Sequence, residues 1–530
     1  MNGVVCDSMP RTREATRFIA PGGNGGISAW PPDDSIGEFQ ALVTGAPDQV
    51  FPVSACSLWG TDFIPTVAKR TTAMNCVPSL LITFIIDVAL LSTAVLLPAQ
   101  ESVLHRFGSG SDGIGPKTGV IADKSGNLYG TTFNGGGGGS EGTVFMLTHP
   151  QPSDNLWKET ILHRFNKLAE GQYPWTGLVQ DPAGNLFGTT WLSAGNHCAN
   201  EVCGVIFELS PPSSGSKQWT YRVIYEFTGN ADGGGPWQGA DLVRDSEGNL
   251  FGTTASGGSG QCIGGCGVVF ELSPVDGTWT ETVLYNFPAD ASGNGGGNGG
   301  VILDQSGNLY GTTYYGGSFN PWSGVFKLVR PSKPGGTWKY VTIHNFISND
   351  EGTSPAAGLV FDSQGNLYGT TEFGGTSSDF GTVFRLTPQP SGSWIHSVLH
   401  KFTGMGDGQW PTNALTVDAE GNVYGTTQAG GVGACHGPFG LGCSVAFRFN
   451  PPADAHDPWI ETVFYTFAPG TDGVIPWGRL IFGAGGQLYG ATQFGGILCD
   501  TLRQGCGTVF ALAPNPSPIA DEATALNRFR

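Results

Sequence analysis

Short apolar runs of four to six residues, rich in Val, Leu, Phe and Tyr, recur from about residue 102 to residue 512, and each is bounded by Gly, Asn, Asp or Pro. Runs of this length and composition predict β-strands. Four kinds follow one another in a fixed order. The first is of the type Leu-Val-x-Asp, at 178–181, 242–245 and 359–362, with Val120-Ile121-Ala122-Asp123 as its earliest copy. Its Asp is followed by two residues and Gly-Asn, the chemistry of a tight hairpin in which Asp accepts local backbone hydrogens and Gly takes positive φ. The second is Leu-Tyr-Gly-Thr-Thr and its variants, and the third reads Gly-Thr-Val-Phe-x-Leu, as at 142–147, 381–386 and 507–512. The fourth opens with Trp and closes with Phe in the pairs Trp157/Phe165, Trp219/Phe227, Trp279/Phe287, Trp338/Phe346, Trp394/Phe402 and Trp459/Phe467. Members of a pair are eight residues apart and so share one side of a strand, which suits packing between sheets.

The unit Gly126-Asn127-Leu128-Tyr129-Gly130-Thr131-Thr132 recurs at Gly184, Gly248, Gly307, Gly365, Gly421 and Gly486. The glycine after the aromatic steps by 58, 64, 59, 58, 56 and 65 residues, a period that marks a repeat architecture. Four antiparallel strands per repeat, apolar on both faces, describe a β-propeller blade, while a β-solenoid is the alternative. The ends of the array separate them. Val103-Leu104-His105-Arg106-Phe107 is a lone fourth strand, and residues 507–512 form a third strand with no fourth after it. The expected fold is therefore all-β: a seven-bladed β-propeller of four-stranded blades, closed by an N-terminal strand that completes the last blade.

The tandem Gly-Asn-Leu-Tyr-Gly-Thr-Thr-x-x-Gly-Gly units resemble those of GloVer-type tandem-repeat, "choice-of-anchor" bacterial proteins over essentially residues 102–512. The resemblance implies an exported, cell-envelope or extracellular protein with no established activity, often ending in an interchangeable anchor. Residues 515–530 depart from that pattern, being short and polar.

Ahead of the repeats, Lys69-Arg70 precede an apolar run over 77–99 that is broken by Asp87 and ends in Leu97-Pro98-Ala99. Residues 74–99 read as a signal peptide, with an uncleaved signal anchor as the competing reading. Residues 1–73 carry Gly/Pro clusters and no strand or helix period, as expected of an unstructured segment or of translation starting near Met74. Residues 100–514 are assigned to the propeller and 515–530 to a polar tail. Gly numbers 85 of 530 residues and charged residues are 13%, yet aromatics reach 11%, so apolar area is ample and the chain is not of disordered type. The net charge of −18 leaves no basic stripe for nucleic acid, and residues 100–530 keep 20 Lys/Arg against 35 Asp/Glu.

Eight of the eleven cysteines fall as close pairs inside loops between second and third strands. In an exported chain they read as disulfides Cys198–Cys203, Cys262–Cys266, Cys435–Cys443 and Cys499–Cys506. His197 and His436 adjoin two of them, but no loop contains a full ligand set, and neither metal nor cofactor is expected. Acids recur five residues after the closing Phe, at Asp112, Glu170, Asp232, Glu351, Asp407 and Asp472, and read as turn-formers. The same loops pair Pro with Trp, which places Trp175, Trp237, Trp410 and Trp477 on the rim of one mouth as ligand contacts, with blade packing as the alternative. No Gly-x-Ser-x-Gly, His-Glu-x-x-His or phosphate-binding loop occurs. The expectation is an extracytoplasmic, monomeric binding module for a glycan or a cell-envelope partner. The rival is a propeller enzyme of lyase or lactonase type acting in the channel, and a third reading is an adhesion module.

Overall fold

In six of the seven repeats the first hairpin turn is tied by its own aspartate, and blade 7 has Gly483 at that position. Asp123 Oδ1 accepts the backbone N–H of Ser125 and Asn127 at 2.8 and 2.9 Å, and Oδ2 accepts Asn127 Nδ2 and the Tyr129 hydroxyl at 2.9 and 3.0 Å. Asp304, Asp362 and Asp418 bind their own Asn and Tyr in the same way. The knot fixes the register of the first strand on the second, setting Ile121 opposite Tyr129.

The computed structural model describes residues 101–514 apart from 109–110, 139–140, 194–202, 289–298, 315–322, 434–442, 497–504 and isolated turn positions. The assignments made for 1–73, 74–99 and 515–530 lie outside the described residues. Seven four-stranded antiparallel sheets are present, each the blade of a propeller. Blade 5 is typical, with strands Val360–Phe361, Leu367–Thr371, Thr382–Pro388 and Trp394–Lys401 in sheet order. Blade 7 combines both ends of the array. Its Val474–Phe482, Leu488–Phe494 and Thr508–Leu512 are joined by Glu101–Arg106, which pairs antiparallel with Thr508–Leu512.

Two aromatic contacts, repeated around the ring, hold blade to blade. The Phe closing each fourth strand is at most 2% exposed and meets the third-strand Phe of the next blade edge-on or tilted. The seven pairs run from Phe107–Phe145 to Phe467–Phe510, with ring centroids 5.0–5.6 Å apart. The Trp opening each of six fourth strands turns its edge to the second-strand Tyr or Phe of the preceding blade at 5.8–6.3 Å. Trp157–Tyr489 and Phe107–Phe145 span the junction of blades 7 and 1, so the array is a closed ring and not an open solenoid.

The glycine of Leu-Tyr-Gly-Thr-Thr is required by close approach. A Cβ on Gly369 would lie 2.5 Å from Phe384 Cζ, and all seven equivalent glycines meet their third-strand Phe at 2.4–2.6 Å. The threonine after it reaches the next blade: Thr253, Thr312 and Thr370 donate to the carbonyls of Gly299, Ala357 and Asn413 at 3.0, 3.1 and 3.5 Å. These bonds join the entrances of successive first strands. A Cβ on Gly239 of blade 3 would stand 3.6 Å from Ala356 O of blade 5, an approach between non-neighbouring blades that is possible only near the axis. The first strands therefore line the axis and the fourth strands form the outer wall.

Candidate functional site

The loops entering first strands and those leaving second strands meet on one face. Gln172 bridges Leu192, Thr353 bridges Phe373 and Gln409 bridges Ala429. A residue of positive φ then precedes the proline of six entry loops: Tyr173 at 57°, Ser354 at 56°, Trp410 at 57° and Ile475 at 56°, with Gly115 and Gly235 in blades 1 and 3. The left-handed conformation is costly for side chains of this size and is held in place by hydrogen bonds on both sides. Tyr173 N donates to Glu141 O of blade 1 at 2.8 Å, and Trp191 N donates to Tyr173 O at 3.0 Å. Trp410 repeats this with Phe380 and Gln428.

The residue after the proline is carried onto the mouth. In blades 7, 1, 2 and 3 it is Trp477, Lys117, Trp175 and Trp237, a crescent over four consecutive blades. Trp175 stacks at a tilt on Trp237 with centroids 4.7 Å apart, and packs against Trp191 at 5.0 Å and Phe133 at 5.1 Å. Tyr173 lies 4.9 Å from Phe133, and Lys117 Nζ stands 4.0 Å above the Phe133 ring and 5.0 Å from that of Trp175. Trp237 is 37% exposed, whereas the Trp175 indole N–H is buried without a hydrogen-bond partner. Trp477 Nε1 donates to Gln493 Oε1. The other side of the mouth is polar: the Tyr314 hydroxyl donates to Glu372 Oε2 at 2.8 Å and Gln428 Nε2 to Thr412 Oγ1 at 2.8 Å. Burial pushes the Glu372 carboxyl above its ordinary range.

Three of the four tryptophans named from sequence thus share one register, and two of them touch. Trp410 does not belong with them, because it precedes its proline and occupies the register of Tyr173. Proline paired with Trp in either order looks alike in sequence, but the two orders place the ring two residues apart, and Trp410 falls on the left-handed position before the proline. Phe133, Trp191 and Lys117 went unnoticed. The signal for the first two is an aromatic directly after Gly-Thr-Thr, shared by Tyr314 on the polar side of the mouth, where the other blades carry Ala255, Glu372, Gln428 and Gln493. Among the cysteines, Cys262 and Cys266 are bonded with Cα atoms 5.1 Å apart. Cys203, Cys443 and Cys506 are disulfide-bonded as well, and Cys198, Cys435 and Cys499 lie outside the described residues.

A second polar feature runs around the outer wall. The acids of the entry loops do cap their turns, since Thr403 N donates to Asp407 Oδ2 and Gly108 N to Asp112 Oδ2, both at 2.8 Å. They also face a seam between adjacent fourth strands. Three seams gather the residue two before the closing Phe, the loop acid, and a residue from the next blade: His105/Asp112/Glu159, His400/Asp407/Glu461 and His344/Glu351/His396. Tyrosine replaces histidine in others, as in Tyr225/Asp232 with Glu281 and Tyr465/Asp472 with Glu101. Burial, with the neighbouring aspartate second, pushes the Glu159 and Glu461 carboxyls up to about 8 and Glu281 to about 7. Burial also lowers the imidazoles of His163 and His396 to about 4.

The Gloeobacter/Verrucomicrobia repeat, as a family model, matches residues 151–333 and 199–439. No curated protein sequence matches the chain. Similar solved structures include a gluconolactonase from Xanthomonas campestris, at 11% identity over 80% of this chain and 93% of that one, with a TM-score of 0.36. The PQQ-bound aldose sugar dehydrogenase from Streptomyces coelicolor gives 11% identity over 78% and 99%, with a TM-score of 0.38. Polysaccharide lyase Uly1 gives 11% over 78% and 99%, with a TM-score of 0.42. Likenesses this distant carry no chemistry to this chain.

Proposed function

We propose that this chain, which belongs to the Gloeobacter/Verrucomicrobia repeat family, is an exported binding protein that takes a sugar ring of an envelope or extracellular glycan on the aromatic crescent of its mouth. The observation that carries this reading is the run of Trp477, Lys117, Trp175 and Trp237 in one register on consecutive blades, backed by Phe133 and Trp191. A sugar ring offers an apolar face and a rim of hydroxyls. Aromatic faces suit the first, and the facing arc of Glu372, Gln428 and Thr412 offers partners to the second. The opposite face repeats nearly one turn around the ring, and repeated turns give little basis for choosing a ligand.

Disulfide-bonded Cys203, Cys262, Cys266, Cys443 and Cys506 fit an oxidising, extracytoplasmic compartment. In this reading residues 74–99 direct export, 100–514 form a monomeric binding domain and 515–530 form a tail. The test is a glycan array followed by calorimetric titration of the best ligand. Trp237→Ala should weaken binding by about 1 kcal/mol or more, roughly fivefold, without lowering the melting temperature, whereas Trp175→Ala, which removes a ring packed on Trp191 and Phe133, should lower both affinity and melting temperature. Trp410→Ala should leave affinity unchanged. Loss of stability with affinity retained in the first two variants would refute the assignment.

A further inference from the structure

The seams of the outer wall are quasi-equivalent in backbone but not in chemistry. Where tyrosine stands at the strand position, one hydroxyl reaches both acids: the Tyr465 hydroxyl lies 2.7 Å from Glu101 Oε2 and 2.9 Å from Asp472 Oδ2, while Glu101 Oε1 has no partner. Where histidine stands there, an imidazole nitrogen, a metal ligand when neutral, takes the place of the hydroxyl between the two acids. At the junction of blades 5 and 6, the Glu461 side chain is only 9% exposed, and its Oε1 has no hydrogen-bond partner. Its Oε2 is 3.4 Å from His400 Nε2, which lies 3.2 Å from Asp407 Oδ2. At the junction of blades 7 and 1, His105 Nε2 stands 3.6 Å from Asp112 Oδ2 and 3.7 Å from Glu159 Oε1, too far for hydrogen bonds, and neither His105 Nε2 nor Glu159 Oε1 has a hydrogen-bond partner elsewhere.

We propose that His400, Asp407 and Glu461 form a binding site for a zinc-class divalent metal, and that His105, Asp112 and Glu159 form its second copy at the seam where the ring closes. One imidazole and two carboxylates are a ligand set of that class, whereas calcium takes six to eight oxygens. A tetrahedral ion with bonds near 2.0–2.1 Å sets its ligand atoms about 3.3–3.4 Å apart. The two edges from His400, 3.2 and 3.4 Å, match this, those from His105 are a few tenths of an ångström wider, and in both clusters all ligand atoms lie within 4.8 Å of one another. The aspartate is already oriented, since Asp407 Oδ1 accepts the Thr403 hydroxyl at 2.9 Å and Asp112 Oδ1 accepts Gly113 N at 2.8 Å. His400 is 21% exposed, so the ion has a path in, and a fourth position remains for water. Each ion would pin two blades together, because His comes from one, Glu from the next and Asp from the loop that joins them.

The test is zinc titration of the full-length chain after dialysis against a chelator, read by calorimetry, by melting temperature and by the visible absorption of cobalt in place of zinc. His400→Tyr and His105→Tyr are the variants of choice, because tyrosine occupies this position natively at Tyr225 and Tyr465. Each single variant should lose one equivalent of bound zinc. The double variant should lose both, together with the zinc-dependent rise in melting temperature and the tetrahedral cobalt spectrum. Glu461→Gln, which keeps the volume of the side chain, should lose the same single equivalent as His400→Tyr. Zinc uptake equal in the wild type and the double variant, or no uptake by the wild type, would overturn the proposal.

Discussion

Ring closure makes a quantitative claim about Phe107. In a closed propeller this residue, near the start of the described chain, is as much a core residue as any in the middle. It is 0% exposed, its ring meets Phe145 of blade 1 at 5.1 Å, and its cluster includes Val120, Leu128 and Leu147 of blade 1 with Tyr489 and Val509 of blade 7. Its amide donates to Gly507 O at 3.0 Å. Phe402 is the internal counterpart, also 0% exposed, with its ring 5.4 Å from Phe447 and its amide on Gly381 O at 3.1 Å. Truncating a buried Phe to Ala costs about 3–5 kcal/mol through lost transfer energy and the cavity left behind. Phe107→Ala and Phe402→Ala should therefore destabilise by similar amounts. The assay is guanidinium unfolding followed by tryptophan fluorescence and far-ultraviolet circular dichroism. A terminal strand of an open array would fray, and its Phe would contribute little. If Phe402→Ala loses several kcal/mol while Phe107→Ala stays within about 0.5 kcal/mol of the wild type, the closed ring is wrong.

Two further outcomes follow from the packing and the seams. Gly369→Ala drives a Cβ into Phe384 and should cost about 1–3 kcal/mol by overpacking; in a Phe384→Leu background the same change should cost far less, and equal costs in both backgrounds would refute the contact. Glu281 has a folded-state pKa raised from 4.5 to about 7, first by burial and then by Asp232, so the native state holds its proton more tightly than the unfolded chain does. Stability should fall as pH rises from about 4.5 to about 7 and then level off. Glu281→Gln, neutral throughout, should exceed the wild type at pH 8 by roughly 1 kcal/mol once solvent screening is allowed for, and should match it near pH 4; a less stable Gln variant at pH 8 would contradict this.

The blade was legible in the sequence because everything that specifies it is local. Asp123, Gly126 and Asn127 close a turn within five residues, strand alternation has a period of two, and seven copies make the pattern hard to miss. The unpaired first and last strands even indicated how the ring closes, since backbone groups at a sheet edge must find partners. What the sequence could not display is chemistry assembled across blades. Trp175 and Trp237 are 62 positions apart and touch because neighbouring blades present the same register, while Trp410 carries the same proline signature and misses it by two residues. The loop acids read correctly as turn-formers, yet Asp407 also meets Glu461, a residue 54 positions away on the next blade. Residue type decides whether a repeated turn acid has a phenol or a histidine beside it, but the packing of one blade on the next decides which acid of the neighbouring blade joins them, and that packing is set by the whole ring of Phe contacts rather than by any one repeat.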